Sequence, residues 1–482
     1  MLWSTASAAG GQVVSFVVFA TLARLLGSRA FGLAALAALI VDLMQVVSAG
    51  GTTEAVIQRP TLREEEADTA FWLNLAAGAA FFCVGELLAG PIARLFRQPA
   101  LGPVLQALCL LFIISPAGGI HSARLVRDLR FKSLAYRNLG ANLVGGVCGV
   151  ALAFAGVGVW ALVAQRLVSA TLVVLLVWSF CRWRPRFRFE WAAVRSLLGF
   201  GSNLMFSQLL MQLNSRAVEL ITGSVVGPAA VGFIRAGSRC MDLINQVTLA
   251  PFHQITLPLQ ARAAGEREHV RSTYAMLSRA SSLAMFPAFI GAGAIASPLI
   301  ALILGPGWAA AADVVRLLSV LALTGQFNTL MLSSLAAAGR PRLVLLWSSI
   351  QVAVGLAATV ATAHFGWRVM LAANVARSYL LLPLGMFMLR RATPIDIGLV
   401  IRSVAPALGA ACLMAASVLA FDDFVASPWP LLVRLGALIG VGAATYGAAA
   451  LLLDRKLPGE LRSLWAMMSQ VRQAGAAGGG AL

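Results

Sequence analysis

The chain has 482 residues, 59% hydrophobic and only 12% charged, with a net charge of +18 and a mean hydropathy of +0.84. A soluble domain runs about 25% charged, so this chain lacks the charge needed to cover a water-facing surface. The composition excludes a secreted disulfide scaffold, a disordered tail protein and a nucleic-acid-binding protein, despite the basic balance.

A helix crosses a bilayer with about 20 mainly apolar residues. About fourteen such runs follow one another, near 8–26, 31–51, 68–90, 101–121, 135–155, 158–181, 197–222, 229–250, 273–303, 311–338, 343–363, 367–389, 400–420 and 430–453. The breaks fall at turn chemistry, as in Gly27-Ser28, Gly227-Pro228, Gly305-Pro306-Gly307 and Gly339-Arg340-Pro341. The first run lacks the basic lead of a cleavable signal. The pattern predicts an all-α polytopic membrane protein. The six cysteines lie scattered in apolar runs without metal spacing, and read as small core residues.

Basic residues set the orientation. The even-numbered loops and the tail carry 23 of them, and the odd loops only Arg29, Arg94, Arg97 and Arg368. Both termini are therefore expected in the cytoplasm.

The two halves repeat at an offset of about 200–210 residues. Leu26-Gly27-Ser28-Arg29-Ala30-Phe31-Gly32 aligns with Val226-Gly227-Pro228-Ala229-Ala230-Val231-Gly232, Asp42 with Asp242, and Gln12 with Gln212. The expected organisation is a six-helix lobe over 1–181, a cytoplasmic linker over 182–196, a second six-helix lobe over 197–390, an accessory helix pair over 391–453 and a partly disordered cytoplasmic tail over 454–482. Six is even, so the lobes form a parallel repeat, an arrangement that places substrate between the halves in alternating-access transporters.

Polar side chains inside spans cost free energy and usually face a cavity. In the seventh span Gln208, Gln212, Arg216 and Glu219 share one helix face, and in the eighth so do Arg235, Arg239 and Asp242. Gln12 and Arg24 lie in the first span and Asp42 in the second; Glu86 stands alone in the third. Arginine guanidinium groups suit phosphate oxygens, because the planar fork donates two parallel hydrogen bonds. Arg24, Arg216, Arg235, Arg239, Gln12, Gln208 and Gln212 are the candidate lining of an anion and glycan cavity. A structural alternative stays open, in which Arg216–Glu219 and Arg239–Asp242 neutralise each other. Asp42, Asp242, Glu219 and Glu86 are candidates for proton or sodium coupling or for arginine counter-ions. No other cofactor is expected.

Arg182-Trp183-Arg184-Pro185-Arg186-Phe187-Arg188-Phe189 alternates basic and aromatic residues and is expected to lie against anionic lipid headgroups. Glu64-Glu65-Glu66 reads as a solvated loop or the start of the third helix. There is no phosphate-binding Gly-x-x-x-x-Gly-Lys loop, no zinc spacing and no Gly-x-Ser-x-Gly. No loop is long enough for a catalytic domain, so an enzyme is not expected.

Several segments carry a family resemblance. Phe31-Gly32-Leu33 through Asp42 to Glu54-Ala55-Val56-Ile57-Gln58-Arg59 resembles the second-span signature of bacterial polysaccharide exporters of the Wzx type, in their WzxC-like branch. So do Phe71-Trp72-Leu73-Asn74, Arg127 to Asn138, Gly158-Val159-Trp160-Ala161-Leu162-Val163-Ala164-Gln165 and Trp183-Arg184-Pro185-Arg186. Pro287 and Leu304-Gly305-Pro306-Gly307-Trp308 look like the matching part of the second lobe. The resemblance covers about residues 1–390, and the first span starts nearer Met1 than that family leads one to expect. It implies the multidrug/oligosaccharidyl-lipid/polysaccharide exporter superfamily, with two six-helix lobes around a central cavity, and flipping of polyprenyl-diphosphate-linked oligosaccharides to the periplasmic leaflet. Partners implied are that glycolipid, the bilayer and a polysaccharide polymerase or export machinery, with no nucleic acid. A drug or cation exporter of the same fold and a membrane polymerase or ligase are the alternatives.

Overall fold

The computed structural model describes residues 2–59, 62–263, 265–426 and 429–453. The tail expected over 454–482 lies outside these residues. Every regular element among them is helical. In chain order these are α1 (Leu2–Ala49), α2 (Thr52–Gln58), α3 (Glu64–Leu95), α4 (Leu101–Cys109), α5 (Leu111–Ile114), α6 (Pro116–Arg127), α7 (Phe131–Phe154), α8 (Trp160–Phe180), α9 (Trp191–Val225) and α10 (Pro228–Thr248). There follow α11 (Ala250–Ala263), α12 (Arg267–Ala294), α13 (Ala296–Ile303), α14 (Ala309–Ala337), α15 (Pro341–Thr362), α16 (Trp367–Leu380), α17 (Leu382–Ala392), α18 (Ile397–Phe421) and α19 (Leu431–Leu453).

The described residues fall into two compact units. The first takes in those within Met1–Arg239, Ile303–Val314 and Val352–Asn374; the second takes in those within Cys240–Leu302, Val315–Gln351 and Val375–Leu482. The first unit buries Leu36 and Val41 of α1 against Leu101 and Leu105 of α4, Phe112 of α5 and Val163 of α8. In the second, Tyr274 and Leu277 of α12 pack with Met331 and Leu335 of α14, Trp347 of α15 and Leu389 of α17. The terminal pair α18/α19 leans on α12 through Met414, Val418 and Leu438, and Tyr446 Oη donates to Leu283 O at 3.0 Å. Asp396 caps α18 by accepting from Leu399 N at 2.7 Å. It also accepts from Arg271 at 3.0 Å. The Leu399 amide and the Arg271 guanidinium hold its carboxyl below the ordinary aspartate range.

Among the described residues, ten helices are long and apolar enough to cross a membrane, or eleven if the pair Leu101–Ile114 and Pro116–Arg127, bent by 47°, is one span. Fourteen spans were expected. The first two expected runs are the two halves of α1, which meet at a kink where the backbone of Gly27 (φ 73°, ψ 169°) is not helical, so the break expected at Gly27-Ser28 is present. The seventh and eighth expected runs form α9 and α10, whose polar stripes take them out of the set of uniformly apolar helices. Two short helices, α2 and α11, occupy stretches read from sequence as loops. Of the two readings of Glu64-Glu65-Glu66, the helix start holds: the three form the first turn of α3, where the positive end of the helix dipole favours acidic side chains.

The repeat is visible in backbone geometry. Gly27 and its aligned partner Gly227 both have positive φ, 73° and 109°, a conformation in which a Cβ is strained. Five residues after each, Gly32 and Gly232 meet. A Cβ on Gly32 would lie 1.7 Å from Pro228 O, and one on Gly232 2.3 Å from Ser28 O. Ser28 and Pro228 are themselves aligned in the repeat, so the contact is reciprocal, as between two copies about a twofold axis. It brings the second half of α1 against the start of α10 with no side chain between them.

Gly32→Ala and Gly232→Ala therefore force backbone to move. Each should destabilise the protein by about 1–3 kcal/mol, the usual cost of overpacking. Gly90→Ala, whose new Cβ would meet nothing within 4 Å, should leave thermal unfolding in detergent unchanged.

Candidate functional site

The close approach at Gly32/Gly232 lays α10 beside α1, and α9 supplies the third wall. Glu219 of α9 is 5% exposed. Its Oε1 accepts from Arg216 Nη1 at 3.1 Å and its Oε2 from Arg235 Nη1 at 2.8 Å. Arg216 and Glu219 are neighbours because residues three apart share a helix face; Arg235 reaches across from α10. One carboxylate thus serves two guanidinium groups. One helical turn beyond Arg235, Arg239 Nη2 donates to Ser15 Oγ at 3.0 Å and to Gln12 Oε1 at 3.5 Å, both on α1. Its partners are neutral oxygens.

Opposite, on α8, Arg166 is ion-paired with Asp42 of α1. Arg166 and Arg235 line one cavity of about 330 Å³, together with Phe31, Asn142, Gln165 and Ser169. That volume falls at the small end of ligand pockets, about 300–1,000 Å³. Four guanidinium groups, those of Arg166, Arg216, Arg235 and Arg239, stand with two carboxylates, Asp42 and Glu219. The group keeps an excess of positive charge, although burying an isolated arginine in a bilayer costs about 2.5–3.5 kcal/mol on insertion scales. Such an arrangement holds an anion by charge-assisted hydrogen bonds.

The structure brings together Gln12, Asp42, Arg216, Glu219, Arg235 and Arg239, all in the first unit. Glu219 stands as a counter-ion, and so does Asp42. Gln208 lies further down α9, where Nε2 donates to Glu54 Oε1 of α2 at 3.2 Å, and Gln212 is half-buried between Gln208 and Arg216. Two residues, Arg24 and Glu86, lie apart. Arg24 is exposed beside the Gly305 turn. Asp242 is exposed on α10, three residues after Arg239, whose own hydrogen bonds run to Ser15 and Gln12. Glu86 faces Cys109 and joins none of these ion pairs.

Arg166, Ser15 and Asn142 escaped sequence reasoning as site residues. Arg166 makes an ion pair between helices with Asp42 and itself lines the cavity. The available signal was the polar face Gln165, Arg166 and Ser169 of α8. In the second unit, Arg377 donates to Gln351 O and Arg316 to Ser297 Oγ at 2.5 Å, as interhelix contacts.

Residues 21–313 match a family described as polysaccharide biosynthesis protein. The chain is similar to the succinoglycan biosynthesis transport protein ExoT of Rhizobium meliloti (strain 1021), 27% identical over 66% of this chain and 64% of that one. It is similar to the lipopolysaccharide biosynthesis protein WzxC of Escherichia coli (strain K12), 25% identical over 64% and 63%. The teichuronic acid biosynthesis protein TuaB of Bacillus subtilis (strain 168) is 25% identical over 63% and 64%. The chain thus spans just under two thirds of the length of the curated relatives it matches. Among solved structures, the lipid II flippase MurJ in its inward closed conformation superposes with a TM-score of 0.75, at 10% identity, over 95% of this chain and 100% of that one. An inward-facing multidrug resistance MATE transporter of the MOP superfamily gives 0.59, at 16% identity, over 79% and 95%. These two likenesses establish the fold: an all-α multi-pass membrane protein of the MurJ and MATE type.

Glu219→Gln removes the charge that two arginines share and should lower stability by about 1–3 kcal/mol, below the 3–5 of a fully buried pair because both guanidinium groups are partly solvated. Arg216→Gln should cost less, since Arg235 still covers Glu219. Thermal unfolding of the purified variants in detergent separates the two.

Proposed function

The chain belongs to the polysaccharide biosynthesis protein family, matched over residues 21–313, and we propose that it moves polyprenyl-diphosphate-linked oligosaccharides across the bacterial inner membrane for assembly of a surface polysaccharide. The observation that carries this reading is the incompletely neutralised arginine group around Glu219, opening on the cavity shared by Arg166 and Arg235. A diphosphate supplies the missing negative charge. Guanidinium forks bind its oxygens two at a time, and Asn142, Gln165 and Ser169 offer hydrogen bonds to sugar hydroxyls.

The relatives' names support the substrate class: one is a succinoglycan transport protein, the others act in lipopolysaccharide and teichuronic acid biosynthesis, and MurJ carries lipid II. The excess of basic residues in the even-numbered loops and the tail supports cytoplasmic termini. Transport then runs from the cytoplasmic to the periplasmic leaflet by alternating access, and a polymerase or export machinery takes up the product. The protein performs no covalent step in this reading. Asp42, held by Arg166, serves the site as a counter-ion. A cation exporter of the same fold fits poorly, because the cavity's own charge is positive.

In cells lacking the chromosomal gene, Arg235→Ala and Arg239→Ala should each lower surface polysaccharide about tenfold or more at normal membrane levels of protein. This corresponds to loss of a charge-assisted hydrogen bond of about 1.5–3 kcal/mol. Lipid-linked oligosaccharide should accumulate on the cytoplasmic face. Arg235→Lys should restore export only in part, since a point charge lacks the bidentate fit. Undiminished export in the double alanine variant refutes the anion cavity.

A further inference from the structure

The segment Arg182–Glu190, between α8 and α9, is irregular, with a turn in which Arg188 N donates to Arg186 O at 2.9 Å, and is fastened to the start of α3. Asp68 Oδ1 accepts from Arg186 N at 3.0 Å, Thr69 Oγ1 from Glu190 N at 3.1 Å, and Trp72 Nε1 donates to Arg186 O at 2.9 Å. Phe187 stacks on Trp72 with ring centroids 4.3 Å apart. Arg124 lies over the Trp183 ring at 4.9 Å and Arg184 over Trp178 at 5.4 Å. The strap is therefore a built, held surface, independent of the transport site.

Its charges do not balance. Arg182, Arg184, Arg186 and Arg188 all line one open cavity of about 670 Å³ with Arg63, Glu64, Glu65 and Trp183. The carboxylates there are already used: Glu65 pairs with Arg188 at 3.0 Å, Glu64 with Arg124 at 2.5 Å, and Glu190 with Arg63 at 3.2 Å. Arg184 donates to the Cys181 and Trp183 carbonyls at 2.7 and 2.9 Å. Arg182, Arg184 and Arg186 have no carboxylate partner among the described residues. Beside this cavity stand bare aromatic rings, Phe187 at 89% exposure, Trp191 at 76% and Phe189 at 52%. Exposed aromatic rings beside a basic cluster, at the ends of apolar helices, match the headgroup level of a membrane rather than water.

We propose that the cavity formed by Arg182, Arg184, Arg186 and Arg188 binds the phosphate of an anionic phospholipid, with Phe187, Phe189 and Trp191 seated at the same membrane interface. Arg184 being engaged by carbonyls, the two remaining forks, Arg182 and Arg186, grip the phosphodiester oxygens. Arg188 and Glu65 keep the strap in place. The proposal does not depend on what the protein transports.

The test uses the full chain reconstituted in phosphatidylcholine vesicles with spin-labelled phosphatidylglycerol or spin-labelled phosphatidylcholine. Each arginine near an anionic surface shifts partition about fivefold. The wild type should prefer the anionic label at least about fivefold. Arg182→Gln/Arg186→Gln should bring that preference to near one with unchanged thermal unfolding, while Arg182→Lys/Arg186→Lys should keep most of it. No preference in the wild type, or full preference in the glutamine variant, overturns the proposal. So does loss of the preference on adding millimolar inorganic phosphate at constant ionic strength, which would assign the cavity to a free anion.

Discussion

A single buried carboxylate held by two guanidinium groups organises the core of the first unit. Charge within a bilayer must be compensated or hydrated, and a half-compensated group is stable only where something else completes it. Glu219 neutralises one arginine's worth of charge and fixes the positions of two, Arg216 along its own helix and Arg235 across the helix boundary. Asp42 does the same for Arg166 on the facing wall. What remains is a positive cavity whose walls are already ordered, so an entering anion meets donors that need not be rearranged.

That arrangement depends on backbone contact as much as on charge. Arg239 reaches Ser15 and Gln12 because α10 lies against α1, and the helices meet there because Gly32 and Gly232 carry no Cβ. The same two glycines are equivalent in the repeat. A duplicated helix start therefore both closes the packing and carries the arginines of α10 to the polar residues of α1. Arg235 and Arg239 follow Gly232 within two turns, so a change in the crossing would be felt directly at the cavity.

Arginine works differently at the strap. There an acidic first turn of α3 meets a basic irregular segment, and the ion pairs hold the strap while leaving Arg182 and Arg186 facing outward. In the second unit, Arg271 on α12 meets Asp396 just before α18, a contact of opposite polarity between an early helix turn and a following segment. The charge pattern of such contacts is free to change; the requirement is that the segment leaving one helix be tied to another.

Hydropathy alone made the chain an all-helical membrane protein, because apolar runs of bilayer length have few other stable solutions. Helical spacing placed Gln208, Arg216 and Glu219 on one face, and turn residues marked Gly27 and Gly227, since these are local properties of the chain. The contacts between helices were not local. Pairing Arg239 with Asp242 was plausible by spacing, yet the hydrogen bonds of Arg239 run to Ser15 and Gln12 of α1. Arg166 was legible as an interhelix pair, but its place in the cavity depended on how α8 approaches α1. The acidic and basic runs at 64–66 and 182–188 were read separately, and only folding brought them together over more than a hundred residues. Periodicity records which side chains share a face; which face meets which neighbour depends on close packing and charge satisfaction across the whole unit, and that is decided in three dimensions.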